Sequence, residues 1–270
     1  MEKNELRKSV LAVAAHPDDI EFMMAGTLLL LRERGWEVHY MNVGTGSGGS
    51  AVKSPAAMAR LRQAEARAAC KVAGFQWHRP VTRDLTIAYE PEQLARVVAA
   101  VRTAKPSIVL TQSLQDYMED HQNTARLAVT AAFCKGSTNA PCKPARPLFA
   151  GATMVYHALP HGFRDAMGKR VHAGLWIDIA GVMDMKEEML SCHASQRQWL
   201  ENTQGMDSYT QTMIDQSAAM GKMSGRFSFS EGWRRHNPLG YSPDPSFDPL
   251  RKALGRSALV DKKYAKWLDE

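Results

Sequence analysis

Cysteine is scarce in this chain: four residues in 270 (Cys70, Cys134, Cys142 and Cys192), with no CxxC pair and no zinc-finger spacing. That excludes a disulfide-built fold or a cysteine-ligated metal as the organising principle, and reduced thiols are expected. Long apolar runs are missing as well. No stretch suffices to span a bilayer, and the opening MEKNELRKSV has no apolar signal core, so a cytoplasmic chain is expected. An aromatic-interleaved basic stripe is also absent. The 34 Lys and Arg against 28 Asp and Glu leave a net charge of +6, but the basic residues are scattered, which argues against a nucleic-acid partner. The Gly-rich stretch GTGSGG at 44–49 lacks a Walker lysine and follows the second predicted strand rather than the first. A nucleotide-binding reading is therefore disfavoured, and the stretch reads as an active-site loop.

What is present alternates regularly. Apolar runs at 10–14, 37–43, 107–112, 152–159 and 174–180, with a weaker one within 75–81, read as strands. Helical patterns fall between them at 23–31, 56–73, 91–104 and 121–135, with Gly35, Gly74 and Gly136 as stops. The alternation predicts an α/β fold: a Rossmann-like, doubly wound, mostly parallel sheet with helices on both faces. A single domain is expected, with a core over about 9–200 and a helical, then Pro-rich C-terminal extension over about 201–270.

In the common strand order 3-2-1-4, strands 1 and 4 are neighbours, and ligands gather beyond their carboxyl ends. The first strand stops at His16-Pro17-Asp18-Asp19, and the fourth is followed by SLQDYMEDHQ, which ends in Asp120, His121 and Gln122. Two clusters of Asp and His thus emerge side by side. His16 and Asp19 lie three apart around a turn, and His121 reaches them from the neighbouring strand end. Two imidazoles and one carboxylate with an open position suit a hydrolytic zinc ion, with other divalent transition metals as alternatives. Asp18 is then free to act as general base, and Asp120, next to His121, to orient a ring nitrogen from behind the ligands. Taken alone, His-Pro-Asp also fits a turn in which Asp18 or Asp19 caps a helix. The pairing of the two clusters favours the metal.

The stretches AAHPDDIEFMMAGTL, RLRQAEARAACKVAG, DYMEDH, WIDIAGVMDMKEEMLSCHASQ and FSEGW together resemble the LmbE-like (PIG-L) N-deacetylase superfamily over about residues 9–235. The resemblance implies a zinc-dependent hydrolase that removes an acetyl group from an N-acetylglucosamine-type sugar or conjugate. It implies the same ligands, His16, Asp19 and His121, and the same base, Asp18. It further implies that Arg62 and Asp84 contact substrate and that His193, in the HxSQ segment, is a second catalytic group. The family tendency to assemble implies a homo-oligomer. One position departs from the pattern: Met118 stands where the family carries a histidine. The alternatives are a metal-binding protein of this fold without turnover and an amidase acting on a non-sugar N-acyl substrate.

Overall fold

A computed structural model describes residues 7–197, 199 and 209–268. Its centre is β1 (Ser9–Ala14), buried along its whole length because its short apolar run leaves no polar face. Parallel pairing sets β1 between β2 (Glu37–Asn42) and β4 (Ile108–Thr111). On the outer side of β2 lies β3 (Gln76–His78), and β5 (Met154–Ala158) pairs parallel with β4. The expected order 3-2-1-4 is the observed one. Among the described residues eight strands form one sheet, in the order β3-β2-β1-β4-β5-β7-β6-β8.

The last three strands, β6 (Leu175–Asp178), β7 (Ser230–Arg235) and β8 (Ala258–Val260), pair antiparallel. The stretch expected as an extension therefore contributes β7 to the sheet interior and β8 to its edge. The expected boundary near residue 200 lies outside the described residues.

Strand side chains alternate between two cores. Val10, Ala12, Tyr40, Leu110 and Tyr156 face α1 (Asp19–Met23), α2 (Ala25–Glu33) and α6 (Met183–Ser191). Leu11, Val13, Val109 and Val155 face α4 (Pro91–Ala104) and α5 (Glu119–Cys134). α3 (Pro55–Ala73) starts with Ser54 accepting from Ala57 N at 3.3 Å and stops at Gly74, whose φ of 68° is left-handed, as the sequence predicted. Among the described residues no helix is long and apolar enough to cross a membrane.

The single helix expected over 23–31 is instead two, broken at Met24. The break frees the first N–H groups of α2, and Glu231 on β7 takes them: Gly26 N and Thr27 N donate to its two oxygens at 2.9 and 2.8 Å. Lys186 on α6 completes the clamp at 2.7 Å, both side chains being fully buried. Gly26 has to be glycine, since a Cβ there would meet Ile179 at 2.7 Å. Glu231 thus joins β7 to α2 through two backbone N–H groups and to α6 through one ion pair.

Two buried histidine pairs also tie strand ends. His39 Nδ1 lies 2.9 Å from His78 Nε2, and His157 Nε2 lies 3.0 Å from His236 Nδ1. Burial first, then the neighbouring imidazole, depresses His78 to about 4; burial is also the main cause depressing His157 to about 4.

Two outcomes follow. Lys186→Ala leaves a buried carboxylate without its cation and should lower the unfolding free energy by roughly 3 kcal/mol in urea titrations. The ring resonances of His78 and His157 should titrate near pH 4 by NMR. Because their folded values lie below the unfolded one, the stability they contribute is whole above about pH 6.5 and is lost as pH falls toward 4.

Candidate metal centre

The site is built where β1 and β4 end together. Val13 pairs with Thr111, and the next residue, Gln112, crosses to the β1 loop. Its Oε1 accepts from Ala15 N at 2.8 Å, while its Nε2 donates to Asp19 Oδ2 at 3.0 Å. The turn His16-Pro17-Asp18-Asp19 is closed by His16 N donating to Asp19 Oδ2 at 2.7 Å. Asp18 takes a φ of 102°, a strained value for a residue with a Cβ. α5 begins at Glu119 and carries His121 on its first turn.

One donor atom each from His16, Asp19 and His121 lies within 4.8 Å of the others. His16 Nδ1 is 3.5 Å from Asp19 Oδ2, and His121 Nε2 is 3.5 Å from Asp19 Oδ1. The far nitrogen of each ring is occupied: Asp120 Oδ2 holds His16 Nε2 at 2.9 Å, and Asp116 Oδ1 holds His121 Nδ1 at 3.0 Å. Those bonds fix the tautomers that leave His16 Nδ1 and His121 Nε2 with lone pairs toward the common point. The donor set suits a divalent transition metal. Asp120, expected to orient a ring nitrogen, holds that of His16, while Asp116 holds the His121 ring.

The electrostatics favour positive charge at this point. Burial disfavours charge on His16, yet hydrogen bonds to Asp120 and Asp19 outweigh it and push the ring up to about 10. Burial likewise opposes His121, and Asp19 and Asp116 raise it. Asp19 is held well below the usual carboxylate range, its burial being outweighed by His121 and His16. A metal would displace those protons.

Asp18 sits beside the three donors and outside their set. Its carboxylate is 3.4 Å from Arg62 Nη2 and accepts a short hydrogen bond from Tyr209 OH. Burial raises its pKa, more than Arg62 lowers it, which favours proton acceptance. Arg62 also donates to Pro17 O at 2.6 Å, so it clamps the turn from α3. His193, expected as a second catalytic group, is fully buried and does not line the cavity; its Nε2 is 3.3 Å from Glu21 Oε1. Burial opposes its charge, but Glu21 raises its pKa, and the ring supports Asp18 electrostatically. Its place is behind the base.

The cavity holds about 410 Å³, and Asp18, His121, Tyr117, Met118, His161 and Trp199 are among its walls. Asp84, expected to contact substrate, borders it but directs both oxygens to the glycine loop, accepting from Gly46 N at 2.7 Å and Gly48 N at 2.8 Å. Gly46 needs its φ of 79°, and a Cβ there would meet Arg62 at 2.6 Å. His161 lines the same cavity as Met118; Gln216 reaches its Nδ1 at 2.6 Å, and Phe22 packs edge-on at 5.8 Å. Gln112, Asp116 and Tyr209 were not assigned to the site from sequence. Asp116 had a signal, five residues before His121 in the same motif. Tyr209 had none, being 191 positions from the carboxylate it binds.

Residues 11–132 match the family model described as PIG-L, GlcNAc-PI de-N-acetylase. The chain is 27% identical over 201 residues to a 4-oxalmesaconate hydratase of Pseudomonas putida, covering 72% of this chain and 76% of that protein. It is 26% identical over 196 residues to a diacetylchitobiose deacetylase of Thermococcus kodakarensis, covering 70% of each. In fold it is similar to the N,N'-diacetylchitobiose deacetylase of Pyrococcus horikoshii, with a TM-score of 0.71 at 22% identity, over 90% of this chain and 88% of that one. The resemblance to the PIG-L, or LmbE-like, superfamily read from the motifs is thus matched by the family model over residues 11–132.

Proposed function

We propose that this protein is a zinc-dependent N-deacetylase acting on an N-acetylglucosamine-type sugar or conjugate, in the cytoplasm, where free Cys70, Cys134, Cys142 and Cys192 stay reduced. The observation that carries the reading is the pairing of three convergent donors with a raised, non-ligating carboxylate, Asp18, on the same turn. His16, Asp19 and His121 would hold the metal. When bound, the ion supplies Lewis-acid activation of water and polarisation of the acyl oxygen. Asp18 takes the proton of the attacking water and later returns it to the nitrogen that leaves as the C–N bond breaks. Tyr209 and Arg62 keep that carboxylate aimed during both transfers. His161 supplies the imidazole that Met118 cannot, hydrogen-bonding the reacting group from the cavity wall. Arg62 borders the cavity with its Nε free of partners among the described residues, which suits it to contact substrate oxygen.

A second reading, hydration of a carbon–carbon double bond, is favoured by the similarity to the hydratase and by Met118, since water addition needs no donor for a leaving amine. The same Asp18 would serve as base. Acetate release from N-acetylglucosamine and its conjugates tests the first reading; loss of conjugated-alkene absorbance from an unsaturated dicarboxylate tests the second. Zinc binding without either signal would favour a binding protein.

Purified protein should take up about one zinc per chain, and His121→Ala should weaken binding by orders of magnitude without unfolding the chain, by metal analysis and circular dichroism. Full affinity in that variant would overturn the ligand assignment. Asp18→Asn should keep its metal and lose roughly 10²-fold in turnover. His161→Ala should do the same to a smaller degree. Loss of metal in either would make the residue part of the cation site.

A further inference from the structure

We propose that the groove next to the metal cavity is an anion subsite, so that the preferred substrate carries a carboxylate or phosphate close to its scissile amide. The proposal rests on the deacetylase reading for the reaction, and on its own observations for the anion.

Two cavities of about 450 and 400 Å³ share Gln115, Arg234 and Tyr264 as walls and so form one groove. Lys169, Arg170, Arg234, Arg235 and Lys263 line it. Its two carboxylates are engaged by backbone and ring N–H groups. Asp165 Oδ1 accepts from Met167 N at 3.0 Å and Lys169 N at 2.9 Å. Asp261 Oδ1 accepts from Lys263 N at 2.9 Å and Tyr264 N at 3.0 Å, and its Oδ2 from Trp176 Nε1 at 3.4 Å. Arg234, half-buried, is oriented among the described residues by neutral partners: it donates to Gln115 Oε1 and, through Nε at 3.0 Å, to Tyr264 OH. A guanidinium fixed by neutral groups keeps its full charge for a ligand, and its planar fork suits a carboxylate or phosphate. Among the described residues, five cations against two such acids give the groove a positive potential.

The groove is tied to the metal cavity by covalent continuity. Gln115 lines the groove, Asp116 holds the His121 ring, and Tyr117 lines the metal cavity. At 3.8 Å per residue, the Cα atoms of the two wall residues are at most about 7.6 Å apart, roughly the breadth of one sugar ring. The loop between β5 and β6 makes the second tie. His161 borders the metal cavity, whereas Lys169 and Arg170 border the groove. The arms between them are locked together by Asp165 N donating to Lys169 O and Val171 N to Phe163 O, both at 2.9 Å. The cationic wall is thereby held in register with His161.

The test compares acetate release by the zinc-loaded protein from N-acetylglucosamine, N-acetylmuramic acid and N-acetylglucosamine 6-phosphate. The two anionic sugars separate a carboxylate from a phosphate ligand. At low salt kcat/KM should be about tenfold or more higher for at least one anionic sugar than for the neutral one. That ratio should shrink toward one at about 0.5 M salt and in the double variant Arg170→Glu, Lys263→Glu. Equal kcat/KM for neutral and anionic sugars, or a ratio unmoved by the double variant, overturns the proposal. Calorimetric titration with inorganic phosphate reads the groove without turnover, and its binding should be lost in the double variant at unchanged zinc content. If no sugar releases acetate while phosphate binding behaves so, the deacetylase reading falls and the anion subsite stands. Phosphate binding that survives the double variant overturns the subsite.

Discussion

A single amide, Gln112, joins the two strand ends on which the site depends. Parallel pairing brings β1 and β4 out of the sheet at one level, and the Gln112 side chain then binds both the backbone at Ala15 and the carboxylate of Asp19. With one Asp19 oxygen engaged by that amide and by His16 N, the other is turned toward His121. The ligand geometry is therefore a property of strand register, and a slip of one residue would dismantle it.

Charge is organised in layers around this point. Asp120 and Asp116 stand behind the two imidazoles, and Arg62 and His193 stand near Asp18, so that opposite charges alternate outward from the donors. Such networks hold only when each member is supported. The fully buried pair of Lys186 and Glu231 gives that support at a distance, fixing α2 and α6, the elements that flank the turn, against β7.

Much of this was legible in the chain itself. The apolar run at 10–14 and the polar residues that end it marked both β1 and the site, because a fully buried strand admits no charge until it leaves the sheet. Gly74 and Pro91 marked helix ends through backbone geometry that few other residues share. His16, Asp19 and His121 were legible because topology alone brings their strands together. The placement of β7 between β5 and β6 was not, since its SEGWRR segment has no local signal for pairing partners 50 or more positions away. Asp84 and His193 mark a related limit: motif membership gives proximity to a site and says nothing of which way a side chain turns. Asp84 turns to the loop, and His193 to Glu21.

The three convergent donors fall between residues 16 and 121, inside the stretch that matches the family model, whereas Tyr209, His161 and the lysines and arginines of the groove all come from beyond residue 132. The chain is thus divided into a reagent and an address. The N-terminal half presents the convergent donors and the carboxylate beside them, and can stay constant while the other half is rewritten. Mutations that accumulate after residue 132 change which molecule is met, and how the base is held when it is met, without touching the ligands. A lineage built on this plan can change what its cavity accepts by altering loops, and the sheet that carries the donors need not take part.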